Sequence, residues 1–222
     1  MHPTIVLVHG AFAESASWDR VIDPLLGAEH HVIAAHNPLR GLASDARAVS
    51  DLVRTIDGPV LLVAHSYGGA VITNVDDDAG ESAFQLAGMF PGSMLGEETL
   101  RPVPRSDGTT DLYIRQDRFH DVFGPDVPAP EAARMAVTQR PATQEALVEP
   151  SGEHPLWNEL PSWFLIGEDD RVIPAALQHY MAERARARRT VAIPGASHAA
   201  AVSQADTTSQ LILEAAASLI TA

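Results

Sequence analysis

The stretch Pro59–Ala70, Pro-Val-Leu-Leu-Val-Ala-His-Ser-Tyr-Gly-Gly-Ala, constrains this chain more than any other. Val60 to Ala64 run without a polar break, which predicts a short strand buried on both faces, as in parallel sheets. The run ends in His65-Ser66-Tyr67-Gly68-Gly69, and the helix-compatible Ala70-Val71-Ile72 follows. A serine at a sharp strand-to-helix turn stands above the sheet with its Oγ exposed. Small residues two before and two after it, here Ala64 and Gly68, let strand and helix crowd together. This is the nucleophile-elbow pattern with Ala replacing the first Gly of G-x-S-x-G. A glycine-rich turn with an incidental serine would look the same over five residues, so the remaining motifs decide between the two.

Those motifs sit on a strand–helix alternation. Thr4–Val8 reads as a buried strand ending in His9-Gly10-Ala11-Phe12. Ser15–Leu26 reads as a helix with Trp18, Val21, Ile22, Leu25 and Leu26 on one face. His31–Ala35 is a second strand, and Ser44 is the expected N-cap of a helix to Ile56, with Ala48, Val49, Leu52, Val53 and Ile56 inward. After the elbow the rhythm stops. From Phe84 to Glu159 proline is frequent, and the helix candidates are short: 82–87, 111–119 and 130–139. This stretch is expected to be a helical lid inserted at about 82–159 into one domain spanning 1–222. The alternation resumes with the strand Trp163–Ile166, a helix from Pro174 to about Arg188, the strand Thr190–Ile193 and a closing helix from Gln204 to Ile220. Strands alternating with helices predict an α/β fold, a mostly parallel sheet flanked by helices.

Composition removes several classes of partner. The chain has 222 residues, 45% of them hydrophobic, enough for one sizeable core. No apolar run approaches the roughly 20 residues of a membrane span, and the N-terminus leads directly into a strand rather than a signal peptide. Cysteine is absent, so disulfides and thiolate chemistry are excluded and the cytoplasm is the expected compartment. A net charge of -14 argues against nucleic acid and anionic membranes. All fifteen cations are Arg. The group Arg184, Arg186, Arg188 and Arg189 suits the C-terminal end of a helix. His30, His31 and His36 lack a closed ligand spacing, so no zinc is expected, and Asp76-Asp77-Asp78 reads as a solvated turn rather than a calcium loop. No metal and no cofactor are called for.

Three candidate groups then lie at the C-terminal ends of three strands, the edge where open α/β sheets bind ligands. They are Ser66, an acid among Glu168, Asp169 and Asp170, and His198. Serine needs an adjacent base to become a nucleophile. His198 would take its proton and return it to a leaving alcohol, while the acid fixes the histidine tautomer. His65 adjoins Ser66, but strand alternation turns its side chain elsewhere, so it is read as packing.

The four motifs His9-Gly10-Ala11-Phe12, Ala64-His65-Ser66-Tyr67-Gly68-Gly69, Gly167-Glu168-Asp169-Asp170-Arg171-Val172-Ile173-Pro174 and Gly195-Ala196-Ser197-His198 together resemble the α/β-hydrolase superfamily. The chain is similar to small bacterial esterase-like members related to the plant methylesterase and hydroxynitrile lyase group. The family's Gly-x-x-Asp-x-x-x-Pro pattern fits Gly167, Asp170 and Pro174, which makes Asp170 the acid, with Asp169 as runner-up. The resemblance also implies an oxyanion hole from the backbone N–H groups of Ala11 and Tyr67, with His9 shaping the loop. Phe12 and the lid residues Phe119, Phe123 and Trp157 are the candidate substrate-binding side chains. With Tyr113 and His120, the lid aromatics serve equally well as the lid's own core.

The resemblance implies a serine hydrolase of small carboxylic esters, with lactonases and amidases as neighbours. A C–C lyase on the same scaffold and a non-catalytic ligand-binding homologue are the alternatives. The lyases of the group use a basic pocket residue, and the chain has no Lys. One departure from the family concerns the core strand expected between the nucleophile helix and the lid. Asp76–Ser82 contains no apolar run, and Leu86–Phe90 is a poor substitute, so that strand is expected to be missing. The sheet would then close up, or a segment of the lid or of a second subunit in a homodimer would fill the slot.

Overall fold

The computed structural model describes residues 2–74, 90–152 and 154–220. Strand β1 (Thr4–Val8) lies between β2 (Val32–Ala35) and β3 (Val60–Ala64), all parallel. A second parallel pair joins β7 (Trp163–Gly167) to β8 (Arg189–Ile193). Among the described residues no strand pairing links β3 to β7. The expected loss of a strand and the short helix at 82–87 both fall on 75–89, outside the described residues.

β1 is buried along its whole length because it has a strand on each side and helices on both faces. Its side chains alternate between two cores. Ile5 and Leu7 pack with Trp18, Val21 and Leu25 of the first helical segment and with Ile212 and Ala216 near the C-terminus. Val6 and Val8 face the other way, with Val49, Val71 and the lid residues Phe119 and Phe123. Burying each such aliphatic side chain contributes about 1.5–3 kcal/mol. β3 is only half-buried rather than enclosed on both faces, because β1 covers just one of its edges among the described residues.

The flanking helices are α1 (Asp19–Gly27), entered through a 3-10 turn at Ser15–Trp18, α2 (Leu42–Val53) and α3 (Tyr67–Thr73). Leu26, expected inward on α1, is 53% exposed. In α2 the inward residues include Asp45 and Val49, while Ala48 faces solvent. Ser44 is not the N-cap. The helix starts two residues earlier, after Gly41, and Ser44 Oγ donates to the Gly41 carbonyl. The first-turn N–H groups of Leu42 and Ala43 donate to the Glu149 carboxylate at 2.5 and 3.4 Å. A distant acid does what a local serine was expected to do.

Between α3 and β7 the described residues form helices and also an antiparallel sheet. β4 (Leu100–Pro104) and β5 (Thr110–Ile114) form a hairpin, and β6 (Ala142–Thr143) adds to β5. The helix expected at 111–119 is therefore corrected. Its first residues pair with β4, and α4 begins only at Gln116 and runs to Phe123. Pro102 and Pro104 are tolerated because β4 is an edge strand. α5 (Ala129–Thr138) and α6 (Gln144–Val148) complete the segment expected to be a lid. The buried amide of Gln139 holds both the N–H and the C=O of Ile114, standing in for a neighbouring strand. After the lid come α7 (Ala175–Arg184), with Pro174 at its N-cap, the short α8 (Ala200–Ser203) and the long α9 (Ala205–Ile220). Among the described residues no helix is long and apolar enough to cross a membrane.

Candidate active site

Ser66 sits between β3 and α3 with φ 54° and ψ -125°. This is a left-handed φ that a side-chain-bearing residue adopts only where its surroundings over-determine it. Two glycines supply that determination. A Cβ on Gly68 would lie 2.6 Å from the Val8 carbonyl oxygen and 2.8 Å from that of His9, so α3 can press on the end of β1 only without one. A Cβ on Gly10 would lie 2.8 Å from Ser66 Cβ. The elbow and the His-Gly loop are therefore in direct contact.

The two peptide units proposed for the oxyanion hole are each pinned at the carbonyl end. His9 Nδ1–H donates to Gly10 O at 2.9 Å, and Gly69 N–H donates to Ser66 O at 2.7 Å. In a planar peptide, fixing C=O aims the N–H of the next residue in the opposite direction. Those N–H groups belong to Ala11 and Tyr67, and neither finds an acceptor among the described residues. The next N–H along the first loop, that of Phe12, is already taken by the Arg140 carbonyl at 3.1 Å. His9 is fully buried, burial lowers its pKa, and the neutral ring keeps Nε2 as an acceptor for the Asn37 N–H.

Asp170 and His198 form a closed pair. His198 Nδ1 donates to Asp170 Oδ2 at 2.8 Å, with side-chain exposures of only 3% and 6%. Asp170 also accepts from the N–H groups of Val172 and Ile173 and from Gln178 Nε2. Burial alone would push its carboxyl up, but the His198 charge and these donors outweigh it and hold it below the usual range. Asp169, the neighbouring candidate, is exposed, and among the described residues only its backbone N–H is engaged, by the Ala196 carbonyl. Gly167 permits the turn, since a Cβ there would meet the carbonyl oxygens of Ser197 and Ala196 at 2.6 and 2.7 Å.

His65 links the two halves. Its Nε2–H donates to the His198 carbonyl at 2.8 Å, and the two rings lie 4.5 Å apart. Burial and the neighbouring His198 lower its pKa to about 3, so it is a neutral packing and hydrogen-bonding group. Ser66 Oγ makes no hydrogen bond among the described residues. Serine–histidine contacts in hydrolases commonly tighten only when substrate is in place.

Phe12, Phe119 and Phe123 are all nearly inaccessible, at 3%, 1% and 2% exposure. Phe123 sets its edge against the His198 ring at 4.9 Å and stacks on Phe119 at 4.9 Å. Trp157 belongs to neither contact. It is half-buried, with the Arg184 guanidinium 5.1 Å over its ring. A cavity of about 300 Å³ opens beside Phe12, lined also by Ala13, Arg20, Met135, Gln139 and Val202. Ser66, Asp170 and His198 do not line it. Among the described residues no group of three or more His, Asp or Glu is placed to hold a metal ion.

The sequence reading missed Asn37, which fixes the His9 loop, Gln178 on Asp170, and Asp126, which accepts from the Ser197 N–H at 3.2 Å. It also missed Asp45, which accepts from Tyr67 Oη at 2.8 Å. That contact carried a readable signal, because Asp45 lies four residues before Val49 on a face otherwise apolar.

The model of one protein family, described as the alpha/beta hydrolase family, matches residues 5–211. A pyrethroid hydrolase of Sphingobium wenxiniae is 27% identical over 88% of this chain and 81% of its own length. An alpha/beta hydrolase of Aspergillus novofumigatus is 23% identical over 99% of both chains. Among solved structures, polyneuridine aldehyde esterase superposes with a TM-score of 0.79 at 16% identity over 96% of this chain and 99% of its own. A plant methylesterase from Arabidopsis gives 0.70 at 17% identity over 97% and 99%. With the elbow, the acid turn and the histidine loop at the ends of a parallel sheet, and a family model covering almost the whole sequence, this chain belongs to the alpha/beta hydrolase family.

Proposed function

We propose that the chain is a serine hydrolase of small carboxylic esters, acting through an acyl-enzyme. The observation that carries this reading is the closed Asp170–His198 pair, tied through His65 to the elbow that holds a strained Ser66 and two N–H groups unengaged among the described residues. His198 Nε2 takes the Ser66 proton as Oγ adds to the ester carbonyl. The tetrahedral oxyanion is received by the N–H groups of Ala11 and Tyr67. His198 then gives the proton to the departing alcohol, and water repeats the sequence on the acyl-enzyme to release the acid. Each step balances with the groups named and requires no metal or cofactor. Asp170 holds the Nδ1–H of His198, which leaves Nε2 as the base, and stabilises the transient imidazolium. Phe123, packed against the His198 ring, gives the base an apolar neighbour. Relatives named as a pyrethroid hydrolase, an esterase and a methylesterase support an ester as the substrate class.

Intact-protein mass after exposure to a fluorophosphonate tests this directly, with Ser66→Ala as control. One adduct on the wild type and none on the variant is the expected result. A folded wild type that takes no adduct would overturn the reading in favour of a non-catalytic ligand-binding protein.

A further inference from the structure

Asp45 is a fully buried carboxylate that the mechanism above does not use. It sits in the first turn of α2, where its oxygens accept the Arg40 N–H at 3.0 and 3.2 Å and the Tyr67 hydroxyl at 2.8 Å. Longer contacts come from the Gly41 N–H at 3.5 Å and Ser44 Oγ at 3.4 Å. Burial pushes its carboxyl up, and these donors offset that only in part. The Tyr67 phenol is pushed up by burial and by the Asp45 charge, so it remains a donor.

The elbow explains what such a contact does. Close approach to β1 requires Gly68 to have no side chain, and Gly69 follows it. Between Ser66 and Ala70, Tyr67 therefore carries the one side chain able to anchor the turn on its helical side. Tyr67 is 4% exposed, and its ring is a rigid arm with two torsions. Its backbone N–H belongs to the peptide that faces the oxyanion.

We propose that Asp45 is a positioning residue: by holding the Tyr67 hydroxyl, it fixes the peptide whose N–H receives the oxyanion. The proposal rests on the serine-hydrolase reading. The same carboxylate also binds the backbone of Arg40, whose guanidinium reaches Asp111 Oδ1 of β5 at 2.5 Å and the Pro141 carbonyl at 3.0 Å. The anchor of the oxyanion N–H is thus continuous with the seat of the lid.

The test is Tyr67→Phe, which removes only the hydroxyl, together with Asp45→Asn and the double variant. Active sites are titrated with a fluorophosphonate, so that rates refer to folded enzyme. An aryl trifluoromethyl ketone, which forms an oxyanion on adding to serine, reports on the hole itself. Losing one oxyanion donor outright costs about a hundred- to a thousandfold, so misaiming one should lower kcat per titrated site by about ten- to a hundredfold. KM should stay within about twofold, and the ketone's inhibition constant should rise by the same factor as kcat falls. The double variant should be no slower than the slower single one. An unchanged kcat, an unchanged ketone affinity, or a loss that vanishes once rates are divided by titrated sites would overturn the proposal, leaving Asp45 and Tyr67 a packing pair. A wild type that fails to label would instead overturn the hydrolase reading before any variant is made.

Discussion

Around Ser66 the geometry is kept by backbone, and around His198 it is kept by side chains. The elbow half rests on β1 and β3, where glycines allow strand end, loop and helix to touch, and where the groups proposed to receive the oxyanion are peptide N–H donors. The acid–base half rests on β7 and β8, where a buried carboxylate holds an imidazole and is itself held by two backbone donors and a glutamine. The two buried acids show the contrast in one residue type. Asp170 faces a group that becomes cationic, and its carboxyl is lowered. Asp45 meets only neutral donors, and its carboxyl is raised. Burial is common to both, so the partner's charge decides the direction. A site divided this way loses its chemistry through side chains in one half and its shape through added methyl groups in the other.

The largest effects should come from the groups proposed to react. Ser66→Ala and His198→Ala should each lower kcat on an aryl ester by about 10⁴-fold or more, and the double variant should be no worse than either. Additive losses would mean that the two halves act independently. Asp170→Asn comes next, with an expected loss of about 10³- to 10⁴-fold, against no more than about twofold for Asp169→Asn. The reverse ranking would move the acid by one position. In the backbone-held half, Gly68→Ala should destabilise the fold by about 1–3 kcal/mol, because its methyl meets the carbonyls of Val8 and His9. Gly69→Ala, whose methyl would meet nothing within 4 Å among the described residues, should be neutral or stabilising by up to about 1 kcal/mol. Thermal melts of the two variants compare a forbidden site with a permitted one a single residue apart.

The last effect is in pH dependence. His65 has a folded pKa of about 3 against an ordinary value of 6.5. Below 6.5 the unfolded chain takes up a proton that the folded ring refuses, so the His65 contribution is complete above pH 6.5 and is lost as pH falls toward 3. The slope is at most about 1.4 kcal/mol per pH unit. Asp45, raised from 3.8, works in the opposite direction. The difference between wild type and His65→Asn in urea melts therefore isolates the histidine, and a difference independent of pH would break the assignment.

The strands were legible because parallel strands read as unbroken apolar runs, and β1, β3 and β7 end in motifs whose glycines have a steric cause. Ser66 and His198 could be named from strand ends. Asp170 could be separated from Asp169 only by a family pattern, since both occupy one turn and differ in which way the carboxylate points. Trp157 was grouped with the pocket on aromaticity alone, and its pairing with Arg184 of α7 is a tertiary contact with no local signature. The hairpin of β4 and β5 was hidden because 111–119 spans the end of a strand and the start of a helix, and pairing with Leu100–Pro104 overrides the helical tendency of its first residues. Asp45 could be read as an acid on an apolar face, but its partner could not.

The cap on α2 carries a further consequence, for the order in which the molecule assembles. Glu149 lies 107 residues along the chain from Leu42, the N–H it receives. A helix capped by its own neighbour can complete its first turn as soon as it nucleates. This one must wait for a long loop to close, and the entropy of closure comes due before the bond can repay it. During refolding, the amides of Leu42 and Ala43 should gain protection from hydrogen exchange together with the lid, later than those in the middle of the same helix. Substituting Glu149 by Gln should speed unfolding far more than it slows folding.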